Sequence, residues 1–176
     1  MHIVRYSVIA ALAGLGVPTA LVAQEKLVAR SGAGISMTIE GRQGVFPGAK
    51  GGAIAGLRFS YGVKSPRDAA SGQASGKRQH GPVVVTKMVG TASPQIFQAL
   101  TTNEALKSVA INLPGVEGSG YTIKLTNAFV SEIKQYTEVL NGQVLEDVSF
   151  TFQKIEVEDP GTRTMAMDDW TASMSK

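Results

Sequence analysis

The stretch "LEDVSFTFQKIEVED", Leu145 to Asp159, alternates apolar and polar residues. Val148, Phe150 and Phe152 recur with period two, which specifies a strand with one face on a core. The phase then slips, because Ile155 and Val157 are odd-numbered. That slip predicts a bulge near Gln153–Lys154. Just upstream, "YTIKLTNAFVSEIKQYTEV" (Tyr121 to Val139) reads as a long β-ribbon. Tyr121, Ile123 and Leu125 face one way, and Asn127 marks a bend before Phe129.

The same period recurs outward from this pair. "ISMTIEG" (Ile35 to Gly41) is a strand ending at a glycine turn. "LRFSYGV" puts Leu57, Phe59 and Tyr61 on one face. "PVVVTKMV" (Pro82 to Val89) is rich in β-branched residues, and "LKSVAINL" has Val109, Ile111 and Leu113 in phase. One helix stands out, "SPQIFQALTTN". Ser93 is its expected N-cap, Pro94 its first residue, and Asn103 its terminator. Ile96, Phe97 and Leu100 are expected to share its buried face. Seven or eight antiparallel strands with one helix are therefore predicted, with no repeat and no second domain. A barrel or a two-sheet sandwich closes such strands with few exposed edges.

The chain has 176 residues, including 20 glycines and no cysteine. That length buries a core without crosslinks, and disulfides and thiolate metal sites are excluded. Residues 1–23 read as a removable leader: Arg5, the apolar run "SVIAALAGLGV", Pro18 and small residues up to Ala23 have the layout of a secretory signal peptide. The run is too short for a stable membrane span. The domain is then expected over 24–176, in a secreted or periplasmic bacterial protein without membrane association after cleavage. The tail 160–176 is polar and expected to be loose apart from Trp170. Arg42 to Lys87 carries eight basic residues against one acid, a balance of +7, whereas Glu104 to Asp169 carries eleven acids against five bases, a balance of −6. Such asymmetry suggests attraction between copies or an internal dipole.

Residues 64–81, rich in Ser, Gly, Ala and charge, are long for a loop inside a compact domain, which marks them as functional or mobile. Their end, "SGQASGKRQHGPVVVTK" (Ser71 to Lys87), has the outline of a phosphate loop. It fails on spacing, on Arg78 where a hydroxyl is needed, and on the strand that follows instead of a helix. Single-strand nucleic-acid binding needs stacking aromatics among the basic residues, and this loop has none, although Tyr61 borders it. His80 is the one histidine beyond the leader, so no two-histidine metal site exists in one chain. A hydrolase centred on His80 remains open, without a Gly-x-Ser-x-Gly motif to support it. A hydrogen-bonded turn role for His80 is the simpler reading. Glu146–Asp147 and Asp168–Asp169 point to opposite faces along a strand and make no two-carboxylate site. No catalytic residues, cofactors or metals are expected.

Taken together, several stretches resemble the haemolysin-coregulated proteins (Hcp), tube subunits of type VI secretion systems. "SGKRQHGPVVVTKMVGTASPQIFQALTTNEALKSVAINL" resembles the family's central block, "YTIKLTNAFVSEIKQY" its long ribbon, "LEDVSFTFQKIEVE" its Glu-x-Val-Ser-Phe strand, and "MAMDDW" its Asp-Asp-Trp ending. "ISMTIEGRQGVFPG" matches the opening strand more loosely. The resemblance implies a small antiparallel β-barrel of two packed sheets with one flanking α-helix. It implies non-enzymatic subunits that form six-membered rings, stacked into a tube carrying effectors. Type VI effectors, tip proteins and sheath proteins are the implied partners. Residues 64–81 resemble the family's ring-to-ring loop, so Lys64, Arg67, Lys77, Arg78 and His80 are candidate stacking residues. Family tube subunits start close to the first strand, whereas about thirty residues precede Ile35 here. The alternative is a secreted, non-enzymatic binding module on the same barrel.

Overall fold

The computed structural model describes residues 34–115, 120–139 and 142–170. The leader expected over 1–23 lies outside these. In chain order the strands are β1 (Ile35–Gly41), β2 (Gly44–Val45), β3 (Ile54–Gly56), β4 (Arg58–Ser60), β5 (Val63–Lys64), β6 (Gln79–His80) and β7 (Val83–Met88). Helix α1 (Ser93–Thr101) follows, then β8 (Leu106–Pro114), β9 (Gly120–Thr137), β10 (Val144–Asp159) and β11 (Thr164–Asp169). A large antiparallel sheet runs β2-β1-β8-β9-β10-β7-β4, with β3 also on β1 and β11 also on β10; β5 and β6 form a separate two-stranded sheet. The expected class holds: mainly β, with two sheets and one α-helix among the described residues.

The large sheet does not close into a ring of ladders. Its margins are β3, paired with β1, and β4, paired with β7. Only Leu57 separates these two short strands, so the chain itself steps across the seam. The Leu57 N–H donates to Thr86 O at 2.7 Å. Gly56 permits the step, because a Cβ there would lie 2.6 Å from Ile35 Cγ2 and 3.3 Å from Val85 Cγ1. Leu57 therefore stands out from the core, 41% exposed, while Phe59 and Tyr61 pack against it.

Inside the curl, alternate residues of β1, β7, β8, β9 and β10 meet in one cluster around Met37, Val85, Ile111, Leu125 and Phe150, all fully buried. Burying each such side chain contributes roughly 1.5–3 kcal/mol. The phase slip in β10 is real, but the register does not shift at Gln153–Lys154. Buried positions jump from Leu125 to Ala128 on β9 and from Phe150 and Phe152 to Ile155 on β10. Leu125 faces Ile155 and Ala128 faces Phe152, so both strands skip in step. The cause is Asn127, at φ 50°, which turns the ribbon over while its amide donates to Gln153 Oε1 at 2.8 Å. The register shift lies instead at Ser149/Phe150, where β9 carries Ser131 as the extra residue.

Helix α1 packs against β9. It starts one residue earlier than expected. Ala92 is the N-cap and Ser93 is already helical, because the Ser93 hydroxyl is drawn into the core. Asn103 closes the helix at φ 51°, donating its N–H to Leu100 O. Ile96 and Ala99 form the buried face; Phe97, one step round the helix, is 60% exposed. Residues 164–169, expected within a loose tail, form β11 through six antiparallel pairs with β10. Four of those residues are exposed, Met165 and Met167 among them, so the segment has no buried face to mark it as a strand.

Candidate functional site

The segment 64–81 is an ordered hairpin arm. Its base pairs Val63 with His80 and Lys64 with Gln79, and the Gly81 N–H donates to Gly62 O at 2.9 Å. Further out, Arg67 bridges Ala74, and the Ser75 N–H donates to Pro66 O. The tip turns at Asp68, whose Oδ1 accepts from the N–H groups of Ala70 and Ser71 and from the Ser71 hydroxyl. The Ser71 bonds hold the Asp68 carboxyl below its ordinary value. Gly72 takes the left-handed conformation, φ 70°, that completes the turn. Residues 67–79 are exposed throughout, while Pro66 and the root residue His80 are half-buried.

At the root the arm meets β11. Arg78 donates from Nε to Asp168 Oδ2 and from Nη2 to Oδ1, both at 2.6 Å, a two-pronged pair that fixes direction as well as distance. His80 Nε2 lies 2.8 Å from the same carboxylate, and His80 Nδ1 lies 2.5 Å from the Tyr61 hydroxyl. A carboxylate only accepts, so Nε2 carries the proton, and in the neutral ring Nδ1 accepts from Tyr61. The imidazole is 6% exposed. It stacks on Tyr61, meets Phe152 edge-on, and lies 5.1 Å from the Trp170 ring. Hydrogen bonds from Arg78, outweighing burial and aided by His80, hold the Asp168 carboxyl far below the usual aspartate range. Tyr61 is pushed up, first by burial and then by the Asp168 charge.

The five candidate residues thus divide. Arg78 and His80 are engaged by Asp168 within the chain. Lys64, Arg67 and Lys77 are exposed and form no ion pair among the described residues, although Arg67 Nη1 donates to Gly72 O inside the arm. A serine triad on His80 is not built: Tyr61 and Asp168 occupy its two nitrogens. The sequence pattern does not mark Tyr61 and Asp168 as site residues. The Asp-Asp-Trp ending was the signal that could have pointed to Asp168.

The acidic half of the sequence does not gather at one end. β10 runs the length of the sheet, so Glu146 and Asp147 lie near the β9–β10 turn while Glu156, Glu158 and Asp159 lie near the arm and β11. Several of these acids are used internally. Glu146, 1% exposed, faces Lys87 Nζ at 2.6 Å and also accepts from Ser93 Oγ and Gln135 Nε2. Burial pushes the Glu146 carboxyl up; the bonds from Lys87, Ser93 and Gln135 together outweigh it and hold it below its ordinary value. Asp147 accepts from Thr86 Oγ1 and the Tyr136 hydroxyl.

A family model described as Type VI secretion system effector, Hcp, matches residues 37–158, a range that includes the arm and ends before β11. The "Major exported protein" of Pseudomonas aeruginosa (strain PAO1) is 37% identical over 128 residues, spanning 66% of this chain and 74% of that protein. A crystal structure described as Hcp protein superposes with a TM-score of 0.68 at 26% identity, covering 77% of this chain and 98% of its own. The secreted protein Hcp3 from Pseudomonas aeruginosa superposes with a TM-score of 0.62 at 28% identity, covering 79% and 99%.

Proposed function

The chain belongs to the Hcp family of type VI secretion proteins, and on that footing we propose that it is the non-enzymatic subunit of a six-membered ring whose copies stack into an effector-carrying tube. The observation that carries this reading is the arm. It is an ordered, exposed hairpin whose Lys64, Arg67 and Lys77 form no ion pair among the described residues. A protein surface that holds three cations on a projecting finger is suited to an acidic neighbour. Closed rings need head-to-tail interfaces, and stacking needs two unlike faces. Glu132, exposed, and Glu138, half-buried, lie towards the β9–β10 turn and away from the arm, and are the acids proposed to receive it.

The test is native mass spectrometry followed by electron microscopy of the 24–176 chain. Rings of six and stacked tubes are the expected result. Lys64→Glu with Lys77→Glu should leave the ring mass unchanged and abolish stacking at low salt. A monodisperse monomer at high concentration would sink the proposal and favour the alternative, a secreted binding module. The feature favouring that second reading is a cleft of about 550 Å³ lined by Tyr61, Val63, Tyr121, Val157 and Met167 beside Arg78 and His80.

Export is part of the proposal, supported by the name of the 37%-identical relative. So is removal of residues 1–23, after which 24–176 would be the working domain. Amino-terminal sequencing of exported and cytoplasmic fractions checks it. A product beginning near Gln24 is expected outside the cytoplasm; one still beginning at Met1 in the cytoplasm would count against the leader. Effectors, tip proteins and sheath proteins are the proposed partners, and nucleic acid is not among them, since residues 64–79 carry no aromatic side chain on which bases could stack, and Tyr61, which borders the arm in sequence, is stacked on His80.

A further inference from the structure

We propose that β11 is a strap that sets the direction of the arm, and that Asp168 is the positioning residue through which it does so. The arm leaves the large sheet after the last β4–β7 pair, Ser60 with Val84, and resumes pairing only at Val63 with His80. Its base is a two-pair ladder in a sheet of its own, with no ladder to the large sheet. Two-stranded ribbons of this size are marginal in water. What ties it to the body is the root cluster: Arg78 forked onto Asp168, His80 on the other flank of the same carboxylate, and the ring contacts of His80 with Phe152 and Trp170. Two of these partners, Asp168 and Trp170, lie on or directly after β11.

The strap itself is lightly held. Among the described residues β11 pairs with β10 alone, and the Trp170 N–H adds one bond to Gln153 O at 3.1 Å. Met165 and Met167 face outward, 62% and 63% exposed. Detaching β11 therefore removes little core, yet it frees the arm. Attachment of the strap and orientation of the arm are one local equilibrium, separable from global unfolding. The Arg78 side chain is 55% exposed, so its pair with Asp168 adds little to overall stability. Its two-pronged geometry adds orientation instead. This inference rests on the ring-contact reading only for its consequence: a directed arm stacks rings, and a swinging one must be ordered first.

Asp168→Ala and, from the arm side, Arg78→Gln test it on the full chain. Hydrogen exchange of residues 64–81 is expected to accelerate at least tenfold in both. Emission of Trp170, the single tryptophan, should move to the red in Asp168→Ala. The thermal midpoint and the ring mass should stay near wild type while tubes are lost. The exchanged pair Arg78→Asp with Asp168→Arg should restore arm protection in part. Unchanged arm exchange in both single variants overturns the strap. A freed arm with tubes formed as before upholds the strap and overturns the arm as the ring-to-ring contact.

Discussion

Lys87 and Glu146, 2% and 1% exposed, satisfy each other in the core together with Ser93, Gln135 and the Met88 carbonyl. Removing one member leaves the other as an uncompensated buried charge. Lys87→Ala should therefore cost about 3–5 kcal/mol in urea unfolding. Lys87→Met combined with Glu146→Leu should recover most of that loss, since a packed apolar pair avoids the desolvation of two ions. The sign of the pH dependence follows from the same carboxylate. A group held low in the folded state contributes stability that is fully present above its unfolded value, about 4.3 for glutamate, and is lost as pH falls through the folded value. Glu146 is held low. Thermal midpoints should be flat above about pH 5 and fall on acidification, and the fall should be shallower in Glu146→Gln. A midpoint that rises towards pH 3 would contradict this. None of these partnerships was legible in the sequence. In sequence Lys87 is one more base in a basic half and Glu146 one of two neighbouring acids on opposite faces, because burial is decided by which strands come together, and Lys87 and Glu146 are directly paired across β7 and β10.

At the scale of elements, period two was enough to place β1, β7, β8, β9 and β10, since each has one face on a core. It failed where both faces meet water, as in β11, and where a strand pair changes phase without changing register. The slip in "SFTFQKIEV" was visible, but a single strand cannot tell a bulge from a bend shared with its partner. Asn127 carries that bend, and its positive φ suits Asn or Gly and penalises a β-branched residue. Asn127→Gly is expected to shift unfolding by less than about 1 kcal/mol, and Asn127→Val to destabilise by about 1–2 kcal/mol beyond the lost bond to Gln153. If the two variants unfold alike, the backbone account of the phase change fails. Helix α1 shows the opposite error. Ser93 looked like a cap because Ser-Pro so often is one, but its hydroxyl was claimed by Glu146. Phe97 looked like core, yet it lies one step round from the Ile96–Ala99 face; Phe97→Ser should change monomer stability by no more than about 0.5 kcal/mol.

For the whole molecule, the charge imbalance between the two halves of the sequence was real, but its spatial meaning was not readable. Antiparallel strands carry each end of a sequence segment to opposite ends of the sheet, so β10 spreads its acids along the full length. The arm was legible as an anomaly of length and composition; its order was not, because the Asp168 fork is tertiary, although the Asp68 turn at its tip is local. The seam at Leu57 has a different consequence, for where this chain tolerates being cut. The two margins of the large sheet are joined there by one residue rather than by a ladder, so the peptide bonds flanking Leu57 act as a stitch. A protease site inserted at Leu57 and cleaved should let the sheet uncurl, seen as loss of protection in β3 and β4. The same site inserted at the arm tip, between Ala69 and Gly72, should leave the core protected after cleavage, which also makes the tip the natural place to open new termini in a circular permutant.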